Sequence, residues 1–302
     1  MPRRYVQKAK VVIPANPFTD ALKDPDGQIG KWLEDIHIEP VSAKEWAIPP
    51  RFTEGPYFVP DCQLIYSKQG RGASVTGEDK TTYPFKAGDM LLYPPYLTQA
   101  SMSPVSTRNR TIVVHFYAKI FGQQDLIETL AFPRYIPGRR SARLALLFER
   151  LTQEYAFKPP GWRQMMAADI LAVLMDIIRH HGARFGVPKI RHSKRHLRRL
   201  QPVFNLIQSV YGKPDLTVAD MAHTLSISEI QLRRLFRQTT GSSPLRFLLK
   251  YRMEQACILL RTTDQPIKRI AETTGFVELP YFYRMFRQWV NRTPNQYRVW
   301  GL

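Results

Sequence analysis

Cysteine is nearly missing from this chain. Two residues in 302, Cys62 and Cys257, leave no material for a disulfide framework or a cysteine-built zinc cluster, and a reducing compartment, the cytoplasm, is the expected location. Long apolar runs are missing as well. No stretch approaches the roughly 18 apolar residues of a membrane span, and the start MPRRYVQKAKVVIPANPF lacks the apolar centre of a signal peptide. Membrane insertion and export are therefore not expected. Acidic residues are scarce: 25 Asp and Glu stand against 44 Lys and Arg, a net charge of +19. The imbalance is local, because residues 189–302 carry 20 of the cations and only 7 of the acids. Such a surface is either a solvated basic face or a binding site for a polyanion, which gains affinity by releasing counterions. What is present rules out wholesale disorder, since 44% of the residues are hydrophobic and 12% aromatic. At about 150 residues per domain, the length suggests two domains.

Proline divides the chain. Eighteen of its 24 prolines precede residue 189, so the first part is broken into short segments. Residues 57–67, 71–76, 89–93 and 111–118 are β-branched or aromatic runs separated by Gly-containing turns, the pattern of a small antiparallel barrel or sandwich. Residues 141–157 and 163–181 change to helical spacing. The second of these helices has so broad an apolar face that it packs either wholly within the subunit or partly against a second copy. Residues 182–196 mix Gly, Pro and cations without period and read as a linker.

The C-terminal segment is more specific. A helix is expected over 197–211, ended by Gly212-Lys213-Pro214. Thr217 then caps a short helix whose Val218, Met221, Ala222 and Leu225 share a face, and Ser228 caps a second with Leu232, Leu235 and Phe236 inward. Glu229, Ile230, Gln231, Arg233, Arg234 and Arg237 stay outside, the helix-turn-helix arrangement. The plan recurs over 266–289, where Arg284-Met-Phe-Arg287 answers Arg234-Leu-Phe-Arg237 fifty residues on. Between the units, 244–262 reads as one continuous helix, a rod of roughly 28 Å against the ~34 Å between successive major-groove segments. Bending the duplex toward the protein would close that gap, at a cost of order 1–6 kcal/mol.

Residues 201–300 thereby resemble the DNA-binding domain of the AraC/XylS family of bacterial transcription regulators. The resemblance is carried by Thr217-Val-Ala-Asp-Met-Ala222, Leu232-Arg-Arg-Leu-Phe236, Thr240-Gly-Ser-Ser-Pro244, Ile267…Ile270-Ala271, Gly275-Phe276, Tyr281-Phe282…Phe286 and Thr293-Pro294…Tyr297-Arg298. Two departures occur: Val290-Asn291 ends the second unit, and Leu279-Pro280 opens its second helix. The resemblance implies base contacts from Ile230, Arg233, Arg234, Leu279, Tyr281, Tyr283 and Arg284. Arginine can offer guanine a bidentate fork, whereas Ile230 suits a thymine methyl. Arg237, Lys250 and Arg287 are expected on phosphates.

The family's sensor is commonly a cupin barrel, and Gly88-Asp-Met-Leu-Leu-Tyr-Pro94-Pro-Tyr96-Leu-Thr-Gln99 follows the spacing of its second motif, with Tyr96 replacing a Gly and Gln99 the metal-binding His. Lone His115 cannot assemble a divalent site, so no metal or cofactor is expected. Trp46, Tyr57, Tyr93, Tyr96, Gln99, His115 and Tyr117 are candidate ligand-binding residues, suited to a sugar or related small molecule; the alternative is that these aromatics are core. The fold class expected is α+β and multidomain: a cupin-like β-barrel sensor (1–135), a helical dimerisation region (136–185), a linker (186–198) and an all-α domain of two helix-turn-helix units (199–302). The expected partners are double-stranded DNA, a small-molecule effector, a second copy of the chain and, by resemblance, RNA polymerase. The function implied is a ligand-responsive activator. A ligand-independent regulator whose barrel serves only dimerisation is the alternative, and an enzyme is not expected, because no nucleophile, metal or acid–base pair is visible. The arm at 1–20 has no evident fold of its own.

Overall fold

The computed structural model describes residues 34, 36–51, 53–76, 81–102, 108–120, 124–138, 142–181 and 194–299. The arm at 1–20 and most of the expected linker lie outside them.

Among the described residues, ten strands build two antiparallel sheets that face one another. They are β1 (His37–Ile48), β2 (Thr53–Phe58), β3 (Cys62–Gln69), β4 (Arg71–Thr76), β5 (Thr81–Lys86), β6 (Met90–Tyr93), β7 (Thr98–Met102), β8 (Asn109–Ile120), β9 (Gln124–Asp125) and β10 (Tyr135–Ile136). The larger sheet runs β1-β8-β3-β6-β10 with β9 on β8, and the smaller β2-β7-β4-β5. No strand pairing joins the sheets among the described residues, so the expected barrel is an open, cupin-like pair of sheets.

Alternation along β8 sorts its side chains. Ile112, Val114, Phe116, Ala118 and Ile120 turn to one face, where they join Leu64 and Leu92 in a core shared with helices α2 (Ala142–Phe157) and α3 (Trp162–His181). Tyr66 stacks on Phe148 of α2 with ring centroids 4.6 Å apart. Arg150 of α2 clamps the buried Asp169 of α3, its Nε donating to Oδ2 at 2.7 Å. A one-turn helix α1 (Leu126–Thr129), capped by Asp125, closes the end of this layer.

The C-terminal half is all helix. The first helix, α4 (Lys194–Val210), starts three residues earlier than the sequence suggested, so residues 194–198 belong to a helix and not to the linker. Lys and Arg are good helix formers, and the turn is propagated from the buried Leu200, Val203 and Phe204. Next come α5 (Val218–His223) and α6 (Glu229–Thr240), both with capping boxes: Thr217 with Asp220 and Ser228 with Gln231. The rod α7 (Pro244–Thr262) follows with proline in its first turn, where the missing N–H costs nothing. Then α8 (Ile267–Thr273), α9 (Leu279–Val290) and α10 (Pro294–Val299) repeat the unit. The repeat extends to backbone conformation, since α6 and α9 both end in a left-handed residue, Gly241 and Asn291, whose N–H bonds Arg237 and Arg287 carbonyls. No helix among the described residues is long and apolar enough to cross a membrane.

Gly275, in the turn of the second unit, has φ +84°, and a Cβ there would sit 2.7 Å from the Tyr211 carbonyl oxygen and 2.8 Å from Arg252 Nε. Arg252 reaches from the rod to donate to the carbonyls of Tyr211 and Lys213, at 2.8 and 2.6 Å, tying the two units together. Gly275→Ala is expected to destabilise the protein by about 1–3 kcal/mol through strain and displacement of that arginine; urea unfolding monitored by circular dichroism measures it.

Candidate nucleic-acid interface and the buried polar row

Each helix-turn-helix unit buries an apolar stripe and exposes the opposite face of its second helix. In α6 the buried set is Leu232, Leu235 and Phe236, with Phe204 and Phe247 around Phe236. Ile230 is left 80% exposed, and Arg233, Arg234 and Arg237 stand in solvent. Arg233 donates to Glu229 one turn earlier at 3.0 Å, an exposed pair worth little and easily exchanged for another acceptor. A large apolar side chain held in water beside three arginines is not a folding requirement.

In α9, Phe282 and Phe286 fill the core with Tyr297. Tyr281 is 40% exposed, and the Arg284 guanidinium lies 5.1 Å from its ring centroid. Arg287 is exposed one turn on. Leu279 and Tyr283 are half-buried against the core, so the face offered by the second unit is centred on Tyr281 and Arg284. Val277, 73% exposed in the turn, extends it and had no sequence signal beyond its position. Lys250 is elsewhere: its ammonium lies 4.9 Å from the centroid of the Tyr96 ring and 3.8 Å from Glu254, against the β-domain.

A buried polar row lies between the sheets. Pairing register places Ser42 beside His115, His115 beside Gln63 and Gln63 beside Tyr93, one row across four strands on the face away from the apolar core. Gln99 on β7 crosses from the opposite sheet to donate Nε2–H to Gln63 Oε1. Asp61, fully buried, accepts from His115 Nδ1 at 2.8 Å, and Gln63 Nε2 lies 3.4 Å from His115 Nε2. With Nδ1–H given to Asp61, Nε2 accepts from Gln63, so every proton in the chain Gln99–Gln63–His115–Asp61 points toward the carboxylate. Both ends of the chain are then acceptors, and neither Gln99 Oε1 nor Asp61 Oδ2 has a hydrogen-bond partner among the described residues.

Of the candidate ligand residues, His115, Gln99 and Tyr93 are brought together, and Tyr57 is paired with Gln99 in the β2–β7 ladder, its side chain outside the described residues. The other three are not. Trp46 pairs with Thr111, four pairs along the ladder, and is 41% exposed. Tyr96, with φ +65°, turns out to meet Trp289 of α9 edge-on. Tyr117 packs with Val41 and Ile258 of the rod. Ser42, Asp61 and Gln63, which sequence reasoning missed, take their places. Among the described residues no three His, Cys, Asp or Glu side chains converge as a metal site.

Burial holds His115 below its ordinary value, with neighbouring Arg261 and Lys44 acting the same way against Asp61. A histidine kept neutral in the fold binds fewer protons than the unfolded chain, so its contribution is present above about pH 6.5 and is lost as pH falls below it. Thermal melts should therefore show stability declining below about pH 6.5, and His115→Gln should flatten that decline.

Comparison with known proteins follows the same division. A family profile described as a helix-turn-helix domain matches residues 221–299. An uncharacterised HTH-type transcriptional regulator of Haemophilus influenzae is 26% identical over 192 residues, 61% of each chain. The HTH-type transcriptional activator RhaR of Yersinia pestis is 28% identical over 156 residues, 50% of this chain and 51% of its own. The chain thus spans between half and two thirds of these relatives. Apo ToxT of Vibrio cholerae, a single-substitution variant, has a TM-score of 0.51 at 15% identity, covering 87% of this chain and 97% of its own, a likeness of fold.

Proposed function

We propose that this chain is a transcription regulator of the AraC/XylS type: a cytoplasmic, sequence-specific DNA-binding activator that responds to a small molecule, and not an enzyme. The observation that carries the reading is the twin array on α6 and α9. One rod carries both helices, and each sets arginine beside an exposed apolar or aromatic side chain while its opposite stripe is buried. Arg233, Arg234 and Arg284 are assigned to base edges and Ile230 and Tyr281 to apolar base surfaces, with Leu279 and Tyr283 shaping the second helix's approach. Arg237 and Arg287, each one turn nearer the C-terminus, are assigned to phosphates. Bound to a promoter, such an activator has RNA polymerase as its further partner.

The polar row between the sheets supports a small-molecule site. A buried polar row that ends in two unpartnered acceptors, Gln99 Oε1 and Asp61 Oδ2, favours a ligand that donates hydrogen bonds, as the hydroxyls of a sugar do, and disfavours a carboxylate. Helix α3 supports a homodimer. Met165, Ala168 and Ala172 recur at spacings of 3 and 4 outside the apolar core, with Met165 42% exposed, a stripe suited to a two-helix contact.

The test is binding-site selection on random duplexes with the full chain, repeated with neutral sugars present. Specific sequences are expected, with preference or affinity altered by at least one sugar. A chain that enriches no sequence overturns the DNA assignment, and enrichment indifferent to every sugar overturns the sensor assignment. Within the selected site, Arg233→Ala is expected to cost about 1–3 kcal/mol and relax preference at one position, whereas Arg237→Ala weakens all duplexes alike and lowers the salt slope by about one; fluorescence anisotropy across a salt series separates the two.

A further inference from the structure

The turn that joins α2 to α3 gathers cations around two aromatic rings. Tyr155, near the end of α2, and Trp162, the first residue of α3, pack on the apolar core and meet edge-on with ring centroids 6.2 Å apart. Lys44 reaches the Tyr155 ring from β1, its ammonium 5.9 Å from the centroid. Lys158 reaches the same ring from the turn at 5.5 Å, and the Trp162 ring at 5.8 Å. Arg163 stacks on Trp162, its guanidinium carbon 5.0 Å from the centroid. Beside them Phe157 stands 81% exposed.

Folding does not account for this gathering. Cation–π attraction is weak at exposed sites and fades beyond about 6 Å, close to where both ammonium groups stand. A lysine on the same sheet is paired differently: Lys68 donates to Glu45 at 3.2 Å and also meets Glu149. Lys44 and Lys158 make no ion pair among the described residues. Arg163 Nε is shut off from water and has no acceptor among them. Glu39 tempers the Arg163 charge, which leaves the two lysines as the uncompensated part. Burial and the like charges of Arg261 and Lys158 draw the Lys44 ammonium below the ordinary lysine range. Lys158 also holds φ +47°, a left-handed position where Gly or Asn is the less strained choice, while its N–H closes α2 on the Glu154 carbonyl at 2.9 Å. An anion among these groups relieves a repulsion that the fold maintains.

Two ammonium groups on one ring suit a ligand that carries two charges at one centre. A phosphate monoester does so at neutral pH, its second proton leaving near about pH 6, and a carboxylate does not. The exposed Phe157 beside them suits a planar ring, because any base can stack on an aromatic side chain. We propose that the α2–α3 turn is a binding site for a nucleoside phosphate, with the phosphate between Lys44 and Lys158 and the base on Phe157. None of these residues belongs to the polar row or to the recognition helices, so the site stands apart from both earlier readings.

Titration calorimetry of the full chain at physiological ionic strength tests it, with AMP, GMP, CMP, UMP, the free nucleosides and inorganic phosphate as probes. At least one nucleotide is expected to bind at a single site per chain, with its nucleoside and inorganic phosphate each about tenfold weaker or more. Lys44→Gln and Lys158→Asn are each expected to weaken it about tenfold or more, the size of a lost hydrogen bond to a charged group. Phe157→Ala is expected to weaken the nucleotide and leave inorganic phosphate unchanged. Asn accepts the left-handed turn, and Phe157 is too exposed for its loss to unfold the chain, so these variants stay folded. Arg237→Ala and Arg287→Ala are expected to leave the affinity unchanged, which separates the site from the basic face of the recognition helices. The proposal is overturned if no nucleotide binds, if binding survives Lys44→Gln and Lys158→Asn, or if it is lost with Arg237→Ala. Inorganic phosphate held as tightly as the nucleotide, or a glutamate-rich peptide held where nucleotides are not, overturns the nucleotide as the occupant.

Discussion

The rod α7 carries three duties on three faces, and the rest of the molecule is arranged around that demand. One stripe supplies Phe247, Leu248 and Tyr251 to the first helix-turn-helix unit. A second supplies Met253, Ala256, Cys257 and Leu260 to the other unit, and a third meets the β-domain. A helix buried on three sides has few positions that tolerate change. Its spacing of the two recognition helices is a property of a continuous hydrogen-bonded rod, not of a linker. Arg252, which cannot join any apolar stripe, donates to the Tyr211 and Lys213 carbonyls just beyond the end of α4.

The β-domain solves a different problem with the same economy. Its larger sheet puts the apolar core on the helix side, so the face between the sheets is left free of the duty of folding. Polar side chains are affordable there only when their hydrogen bonds close on one another, and Gln99, Gln63, His115 and Asp61 do so in sequence. The direction of that chain is forced by its carboxylate end. Apolar packing and the polar row are therefore divided between the two faces of a single sheet.

Legibility in the sequence followed the range of the interactions. Capping residues Thr217 and Ser228, the buried pairs Leu235-Phe236 and Phe282…Phe286, and the start of the rod at Pro244 are set within a turn or two, and each was readable. The repeat doubled every such signal. The polar row was only half readable, because Ser42, Gln63 and His115 become neighbours through the register of three strands that are far apart in the chain. A register shift between Pro40 and Ser42 also turns Val41 toward the rod, and no local pattern announces it. Tyr96 and Tyr117 were aromatic in the right stretch, but a positive φ turns Tyr96 toward Trp289, and Tyr117, on the same face as His115 and two residues further along β8, meets Ile258 of the rod. The junction with the β-domain left no trace, since Lys250 reads as a phosphate ligand until its partner surface is known.

Lys250 shows how the three duties interact. Seen on the DNA-binding half alone, it is a cation on an exposed helix face and a reasonable phosphate ligand. With the β-domain in place, burial draws its ammonium below the ordinary lysine range, while Glu254, shared with Lys119, holds the charge in place. One carboxylate thus serves two lysines, one from each half. Removing the β-domain hands Lys250 a solvated ammonium and leaves Glu254 facing water. The electrostatics of the rod, and with them the field that a duplex meets, depend on which surface covers this stripe.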